Sequence, residues 1–275
     1  MTNFGVIIRS IGERTEQLCV ESCKKYVAQS NLHIIKNYYP AYKAYKKMYE
    51  IALEKKYDWF LAVDADVVLK SDWFDIAQKT LSTLPLDDYF VISFSLYDKF
   101  LGPLDRGNRL YNGSHVERAL WFLENKTKYS LKAESYVSRH MAKDAPPKKR
   151  KYSKDTIIGY HGYEQFYKHI FYRFFLRKLR LKGDKENENV YNEIFKANIN
   201  NSDKDYLLAE YGWKNASKYN FYVLLMRIFG MRFSNFQKIS KYIEQEMKRY
   251  RIDEKRECDL ISINEFYQKY KNEIN

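Results

Sequence analysis

Two acidic residues separated by one alanine, Asp64 and Asp66, are the part of the sequence most suited to chemistry. They follow the apolar run Trp59 to Val63 and precede a second apolar run, Val67 to Leu69. Carboxylates two residues apart at a strand end can be directed at one hard divalent cation, which prefers oxygen ligands. Because apolar sequence on both sides makes two uncompensated carboxylates costly, a metal ion or a basic partner is expected here. The alternative is a pair stabilised by helix N-termini or surface lysines.

The sequence around this pair alternates between short apolar strands and amphipathic helices. Strands are predicted at 4–9, 32–36, 57–63 and 89–95, and helices at 15–30, 40–56 and 71–79. Such an alternation predicts a mostly parallel, Rossmann-like α/β sheet flanked by helices, whose ligand sites gather at the carboxyl ends of the strands. A glycine-bearing loop at 102–113, a basic surface loop at 143–154 and a short strand at 156–160 follow, and from Tyr163 onward the pattern indicates a helical C-terminal region.

Composition places the chain among globular proteins, with 275 residues, 45% hydrophobic and 17% aromatic. The net charge is +13, and between Lys143 and Lys182 there are twelve basic residues against three acidic ones. Such a segment suits a nucleic acid, an anionic membrane surface or a phosphorylated substrate, unless it is simply a solvated face. No apolar run approaches the roughly 20 residues of a membrane span, and no signal-peptide pattern opens the sequence. A cytoplasmic protein is therefore expected.

Three segments carry a resemblance to a known family: the N-terminal strand with its loop, Tyr57 to Val67, and Gly159 to Gln165. Together they resemble bacterial nucleotide-sugar-dependent glycosyltransferases with the GT-A fold, over about residues 4 to 175. The resemblance implies a nucleotide-sugar-binding and catalytic domain at 1–175 and a helical C-terminal region at 176–275. It also implies transfer of a sugar, with UDP as the expected nucleotide, to a glycan or lipid-linked acceptor in surface polysaccharide or glycolipid assembly.

By the same resemblance, the acidic pair belongs to a metal site. Asp66 is expected to bind the Mn2+ or Mg2+ that bridges the two phosphates of the donor, and Asp64 to contact the ribose or the metal through water. His161 is expected to complete the metal site, although a single histidine also commonly has a structural role.

The leaving nucleoside diphosphate gains negative charge, which a metal ion and nearby cations would neutralise. A helix that begins near Thr15 would add its positive N-terminus. The residues expected to contact the nucleotide or its phosphates are Arg9, Gly12, Glu13, Arg14, Thr15, Asp64, Lys168 and Arg173.

An inverting enzyme also needs a carboxylate that takes the proton of the acceptor hydroxyl. Glu164 is the first candidate for this base and Asp98 the second, while a cap or ion pair on its own helix is the alternative role of Glu164. The family's Glu-Asp base motif has no aligned counterpart here, so the stereochemistry is not assigned.

The glycine-bearing loop is expected either to line the sugar or acceptor pocket or to be a solvated surface loop. Its candidate pocket residues are Asp105, Arg106, Asn108, Arg109 and Tyr111.

The segment Phe166 to Lys182 mixes aromatic with basic residues, as an interfacial helix on anionic lipid would. Peripheral contact of residues 143–182 with the inner face of the cytoplasmic membrane is one hypothesis, and a core helix whose arginines bind pyrophosphate or pair with C-terminal helices is the other.

Two further functions fit less well. A haloacid-dehalogenase-like phosphatase would need a polar residue soon after Asp66, and a nucleic-acid-binding protein would leave Asp64 and Asp66 unexplained, so no nucleic acid is expected.

Overall fold

The protein is described here by a computed structural model that covers most of the chain. It describes residues 2–38, 41–85, 88–104, 108–126, 133–144, 149–181, 184–198, 203–216, 245, 248 and 262–270, with the backbone alone at 142–144, 149–155 and 180. The chain forms two compact units. Unit 1 comprises Met1–Glu164 and Leu260–Asn275, and unit 2 comprises Gln165–Asp259.

Unit 1 is built on a single eight-stranded sheet. Its strands are β1 (Phe4–Ser10), β2 (Leu32–Lys36), β3 (Trp59–Asp64), β4 (Val67–Leu69), β5 (Tyr89–Asp98), β6 (Gly102–Leu104), β7 (Arg109–Asn112) and β8 (Lys149–His161). Their order is β2-β1-β3-β7-β5-β8-β4, with β6 beside β5. The three longest ladders, β1 with β2, β1 with β3 and β5 with β8, are parallel, whereas the pairs made by β4, β6 and β7 are antiparallel.

Helices cover both faces of this sheet. They are α1 (Glu16–Lys24), α2 (Ala41–Glu54), α3 (Trp73–Thr83), α4 (Val116–Lys126) and α5 (Ala133–Asp144), with 3-10 turns at Gln29–Asn31 and Gly113–His115. Side chains of β1 alternate between two cores, as successive residues of a strand must. Val6 and Ile8 pack with Trp73 on one face, and Ile7 packs with Tyr49 on the other. Because both faces are covered, the strands need the continuous apolar runs that the sequence contains. The predicted α/β class, with helices flanking the sheet and a helical C-terminal region, is confirmed.

The sheet differs from the prediction in its centre. The segment 102–113, expected to be a loop, contains β6 and β7, and β7 lies between β3 and β5 in the sheet. The basic segment that begins at Lys149, expected to be a surface loop, starts β8, which pairs along β5. Helix α9 (Ile263–Tyr270) returns to unit 1, where Phe266 and Tyr270 pack with Leu18, Val68 and Tyr163.

Unit 2 contains α6 (Tyr167–Leu181), α7 (Lys185–Ala197) and α8 (Lys204–Ala216). The aromatic face of α6 is buried here, since Phe171 and Phe175 pack with Ala216 of α8. Basic residues of α6 pair with α7: Arg177 Nε donates to the Tyr191 hydroxyl at 2.7 Å and Lys178 Nζ lies 2.7 Å from Glu188 Oε2.

The two compact units divide after Glu164 and again after Asp259, and the apolar face of α6 belongs to the core of unit 2. Phe171, Phe174 and Phe175 of α6 are buried, as the core-helix alternative expects. Among the described residues, the helices are too short or too polar for a membrane span.

Gly113 tests the packing that holds β7 in the sheet. A Cβ atom at this position would lie 1.7 Å from the Tyr57 carbonyl oxygen, while the Gly113 N–H donates to the Asp58 carbonyl at 2.8 Å. We expect Gly113→Ala to destabilise the protein by roughly 1–3 kcal/mol through overpacking. Urea denaturation measures the effect, and Lys126→Ala on the exposed end of α4 is the control, with a change within about 0.5 kcal/mol. Equal stability of the two variants would contradict the assigned packing.

Candidate active site

The carboxyl ends of β1, β3, β5 and β8 bring charged residues to one edge of the sheet. In the parallel register of β1 and β3, Arg9 is opposite Asp64. In the parallel register of β5 and β8, Asp98 is opposite His161, and the antiparallel pairing of β4 places Val67 on the other side of His161. Residues far apart in sequence therefore meet at the edge where open α/β sheets place their ligand sites.

Asp64 forms an ion pair with Arg9, whose Nη2 atom lies 2.8 Å from Asp64 Oδ1. The Asp64 side chain is 57% exposed, whereas that of Arg9 is only 12% exposed. The Arg9 guanidinium also lies over the ring of Tyr45, at 4.5 Å from its centroid. Burial raises the pKa of the Tyr45 hydroxyl, so it stays protonated at neutral pH. Asp64 therefore has a basic partner from the protein itself, one of the two outcomes that the sequence predicts.

Asp66 meets His161 instead. Asp66 Oδ2 lies 3.2 Å from His161 Nε2, and both side chains are 21% exposed. The turn that carries Asp66 is fixed by its backbone, because the Ala65 N–H donates to the Arg9 carbonyl at 2.9 Å and the Gly162 N–H to the Asp66 carbonyl at 3.3 Å. The two strand ends thus present a carboxylate and an imidazole to the same point.

The other nitrogen of His161 binds a buried carboxylate. His161 Nδ1 lies 2.6 Å from Asp98 Oδ2, and Asp98 is 0% exposed. Asp98 Oδ1 accepts the backbone N–H groups of Phe100 and Leu101 at 2.9 and 3.0 Å. Since an ionised carboxylate can only accept, Nδ1 carries the proton donated to Asp98, and Nε2 faces Asp66 either as a donor, in a protonated ring, or with its lone pair, in a neutral ring. Asp98, the second candidate for the base, therefore lies beneath the imidazole, with its oxygens engaged by His161 and by backbone N–H groups.

This arrangement is compatible with a divalent cation. His161 Nε2 and an oxygen of Asp66 face each other at 3.2 Å, a contact that either a proton on Nε2 or a metal ion between the two atoms would stabilise. A histidine that binds a metal typically donates its other N–H to a carboxylate, as His161 does to Asp98. In the described part of the chain, no three histidine, cysteine, aspartate or glutamate side chains are arranged to hold a metal. Two protein ligands are nevertheless sufficient for Mg2+, which takes its remaining ligands from water and substrate phosphates.

Glu134 of α5 is the centre of a second, buried cluster that the sequence did not indicate. Its Oε2 atom lies 2.6 Å from Arg109 Nη1 and accepts the Tyr45 hydroxyl at 3.0 Å, while the Tyr111 hydroxyl donates to its Oε1. Burial acts to raise the pKa of the Glu134 carboxyl, but Arg109, Arg9 and the two hydroxyl groups outweigh it and lower the pKa below its usual range. The carboxylate is therefore ionised and holds Arg109 of β7.

A cavity of about 140 Å3 lies between these two clusters. Its polar lining consists of Arg9, Asp64, Asn108, Arg109, Glu134 and His161, and its apolar lining of Ala62, Val67, Leu96 and Leu104. Asn108 and Arg109 therefore lie at the pocket, whereas Tyr111 is fully buried behind it. The other two pocket candidates, Asp105 and Arg106, lie outside the described residues. The lining of this cavity therefore combines charged side chains with apolar ones.

The segment between β1 and α1 lies at the same edge. Gly12 adopts a φ of +85°, which favours glycine, and its N–H donates to Ser10 Oγ at 3.0 Å. Burial raises the pKa of the Glu13 carboxyl, although hydrogen bonds from the Ile11 N–H and the Ser10 hydroxyl oppose this. The Thr15 hydroxyl donates to the Ala65 carbonyl at 2.8 Å, so the start of α1 is attached to the turn between Asp64 and Asp66.

Glu164 is bound by three donors. Arg14 Nη2 lies 3.4 Å from its Oε2, and Lys269 Nζ and the Tyr270 hydroxyl lie 2.6 and 2.7 Å from its Oε1. The Glu164 side chain is 11% exposed. Glu164 lies before the start of α6, and its ion pairs join it to Arg14 and to Lys269 of α9 instead of to a residue of its own helix. The remaining phosphate candidates, Lys168 and Arg173, lie on α6 in unit 2.

No protein-family model and no curated protein sequence matches the chain. Solved structures similar to it include a glycosyltransferase involved in the glycosylation of the major capsid of PBCV-1, 13% identical, over 57% of this chain and 92% of that chain (TM-score 0.39). A 4-diphosphocytidyl-2C-methyl-D-erythritol synthase from Anaerococcus prevotii is 9% identical, over 60% of this chain and 91% of that chain (TM-score 0.41). A cytidylyltransferase from Leptospira borgpetersenii is 12% identical, over 50% of this chain and 74% of that chain (TM-score 0.33).

Replacing Glu134 tests the buried cluster. Glu134→Gln leaves Arg109 as an uncompensated buried charge, and breaking such a pair typically costs roughly 3–5 kcal/mol. Folding lowers the pKa of Glu134 below its usual value of 4.5. The carboxylate therefore contributes fully to the free energy of unfolding above its usual pKa, and this contribution is lost as the pH falls through the lower pKa of the folded protein. Unfolding free energies measured from pH 7 to pH 3 should therefore differ most near neutrality and converge in acid. The exposed Glu193→Gln is the control, and a difference independent of pH would contradict the ionised cluster.

Proposed function

We propose that the protein is a nucleotide-sugar-dependent glycosyltransferase whose donor binds at the carboxyl edge of the unit 1 sheet. One observation carries the proposal: the Asp66–His161 pair, oriented by buried Asp98, lies beside a cavity lined by two arginines. A site of this kind provides a cation position for a diphosphate together with a small, partly apolar compartment for a sugar ring. The resemblance of Asp64-Ala-Asp66 and its strand to the GT-A motif supports the same activity.

The roles of the protein residues follow from their positions. Asp66 Oδ2 and His161 Nε2 would hold Mn2+ or Mg2+, which when bound supplies positive charge to the phosphates of the leaving group. Asp64 keeps Arg9 at the cavity through their ion pair, and is available to the ribose because more than half of its surface is exposed. Asn108 and Arg109 line the cavity as hydrogen-bond donors for hydroxyl or carbonyl groups of the sugar.

Two acidic residues take roles other than the expected base. Asp98 positions the imidazole of His161, because its oxygens are used by His161 Nδ1 and by two backbone N–H groups. Glu164 forms ion pairs with Arg14 and Lys269 and accepts from the Tyr270 hydroxyl, so both of its oxygens are engaged by donors. The nucleotide is proposed to be UDP and the acceptor a glycan or a lipid-linked sugar, both on the family resemblance alone.

Removing either member of the metal pair tests the proposal. Wild-type protein should be stabilised by UDP with Mn2+, since a ligand at 100 times its Kd raises the unfolding free energy by about 2.7 kcal/mol. Asp66→Asn should lose this stabilisation while retaining the fold, because its side chain lies at the edge of the sheet. His161→Ala should lose it as well, and because this variant also removes the partner of the buried Asp98, it is compared with its own unfolding temperature without ligand. Thermal unfolding with UDP, GDP or CMP, each with Mn2+, Mg2+ or EDTA, measures it.

The matched control is Asp72→Asn, which removes an exposed carboxylate paired with Lys70 on the surface of the same unit. It should respond to the nucleotide as the wild-type protein does. Stabilisation of Asp66→Asn equal to that of the wild type would refute the metal pair. Absence of any nucleotide effect in the wild type, beside a clear effect of oligonucleotides, would favour the nucleic-acid-binding alternative.

Asp98→Asn tests the orientation of His161. An asparagine amide can still approach His161 Nδ1, but it lacks the negative charge that holds the proton on Nδ1. Removing the hydrogen-bond partner of a metal-binding histidine typically lowers metal affinity 10–100-fold. We expect Mn2+ affinity in the presence of UDP to fall by about that factor, measured by electron paramagnetic resonance of free Mn2+. Thermal unfolding without metal monitors folding. Unchanged Mn2+ affinity in a folded Asp98→Asn protein would exclude the orienting role.

A further inference from the structure

Glu164 lies where two distant parts of the chain meet the edge of the sheet. It follows His161 by three residues and adopts a φ of +51°, an uncommon conformation for a residue other than glycine. One of its oxygens faces Arg14, in the segment between β1 and α1, and the other accepts from Lys269 and Tyr270 of α9. A single carboxylate is thus shared by a cation of the site and a cation of the C-terminal helix.

Helix α9 is a firm support for these contacts. Phe266 is fully buried, and its ring lies 5.7 Å from that of Tyr160 and 6.4 Å from that of Tyr163. The Tyr267 hydroxyl donates to the Leu69 carbonyl of β4. Lys269 and Tyr270 therefore reach Glu164 from an element that is packed against the strands beside His161.

Glu164 lies closer to Lys269 than to Arg14. Lys269 Nζ is 2.6 Å from the carboxylate and Arg14 Nη2 is 3.4 Å away, so the lysine has the closer contact. Coulombic attraction falls with distance, and a proximal cation reduces the attraction of the same carboxylate for a second one. Arg14 is next to Thr15, which bonds to the turn between Asp64 and Asp66. Arg14 is therefore close to the position proposed for the diphosphate.

We propose that Lys269 and Tyr270 of α9 are positioning residues that weaken the hold of Glu164 on Arg14 and so permit Arg14 to bind the phosphates of the donor. This inference rests on the proposed function. Without Lys269, Glu164 would pair more strongly with Arg14 and compete with the phosphates for it. Without the charge of Glu164, the competition would end whether Lys269 is present or not.

A double-mutant cycle that removes the charges of Lys269 and Glu164 tests the inference. Isothermal titration calorimetry at low salt measures the binding of UDP with Mn2+ and of pyrophosphate with Mg2+. Lys269→Met should weaken both by at least about fivefold, the lower end of typical couplings between linked sites. Glu164→Gln should bind at least as tightly as the wild type, and the double variant Glu164→Gln with Lys269→Met should recover the affinity that Lys269→Met loses. Tyr270→Phe should weaken binding in the same direction as Lys269→Met. Lys196→Met, which removes an exposed lysine of unit 2, is the control and should change neither affinity.

Each result decides one point. Wild-type affinity in Lys269→Met overturns the inference and leaves the proposed function intact. A loss in Lys269→Met that the double variant does not recover also overturns it, because a packing role of α9 would not be rescued by removing the charge of Glu164. Thermal unfolding of every variant identifies a folding defect. A wild-type protein that binds neither ligand refutes the proposed function and this inference with it.

Discussion

The concentration of carboxylates at the carboxyl edge of the sheet is the constraint on which the rest of this structure depends. Parallel pairing of β1 with β3 and of β5 with β8 brings Asp64 and Asp98 to one edge, and α5 adds Glu134 close by. Carboxylates that lose water need a positive partner or hydrogen-bond donors. Each strand that carries an acidic residue to this edge therefore has a neighbour that carries a basic one, as Arg9 faces Asp64 and His161 faces Asp98.

The ion pairs differ in how far they are exposed. Buried pairs stabilise the fold, whereas a pair with an exposed member is accessible to a ligand. The pair Arg109–Glu134 is buried and supported by tyrosine hydroxyl groups, so neither charge can leave without a large cost in stability. The pair Arg9–Asp64 has one buried and one exposed member. A buried arginine held from behind is a rigid donor, and rigid donors stabilise developing charge without having to reorganise during the reaction. The inner cluster thus explains how the edge can keep cationic groups oriented toward a cavity.

Strands with apolar, β-branched residues on both faces were predictable, and so was the acidic pair at the end of one of them, because such runs leave little choice of structure or position. The strand β7 was not, since Arg109 to Asn112 follows a glycine-rich segment and is polar at both ends; only the sheet gives it partners on both sides. Strand β8 begins with basic residues that are typical of a surface loop. Glu134 lies in a sequence that would suit an exposed helix, and its role depends on contacts with residues 23 to 89 positions away.

His161 shows how burial can assign two roles to chemically identical partners. Its Nδ1 faces the fully buried Asp98, whose oxygens are also held by backbone N–H groups, while its Nε2 faces Asp66 at the accessible side. Breaking the inner contact would leave an unpaired charge in the core, whereas Asp66 is partly exposed and can be reached by water or a cation. Only the outer side can therefore exchange its partner. The imidazole is held from within and presents its second nitrogen outward, which is the asymmetry that a ligand-binding histidine requires.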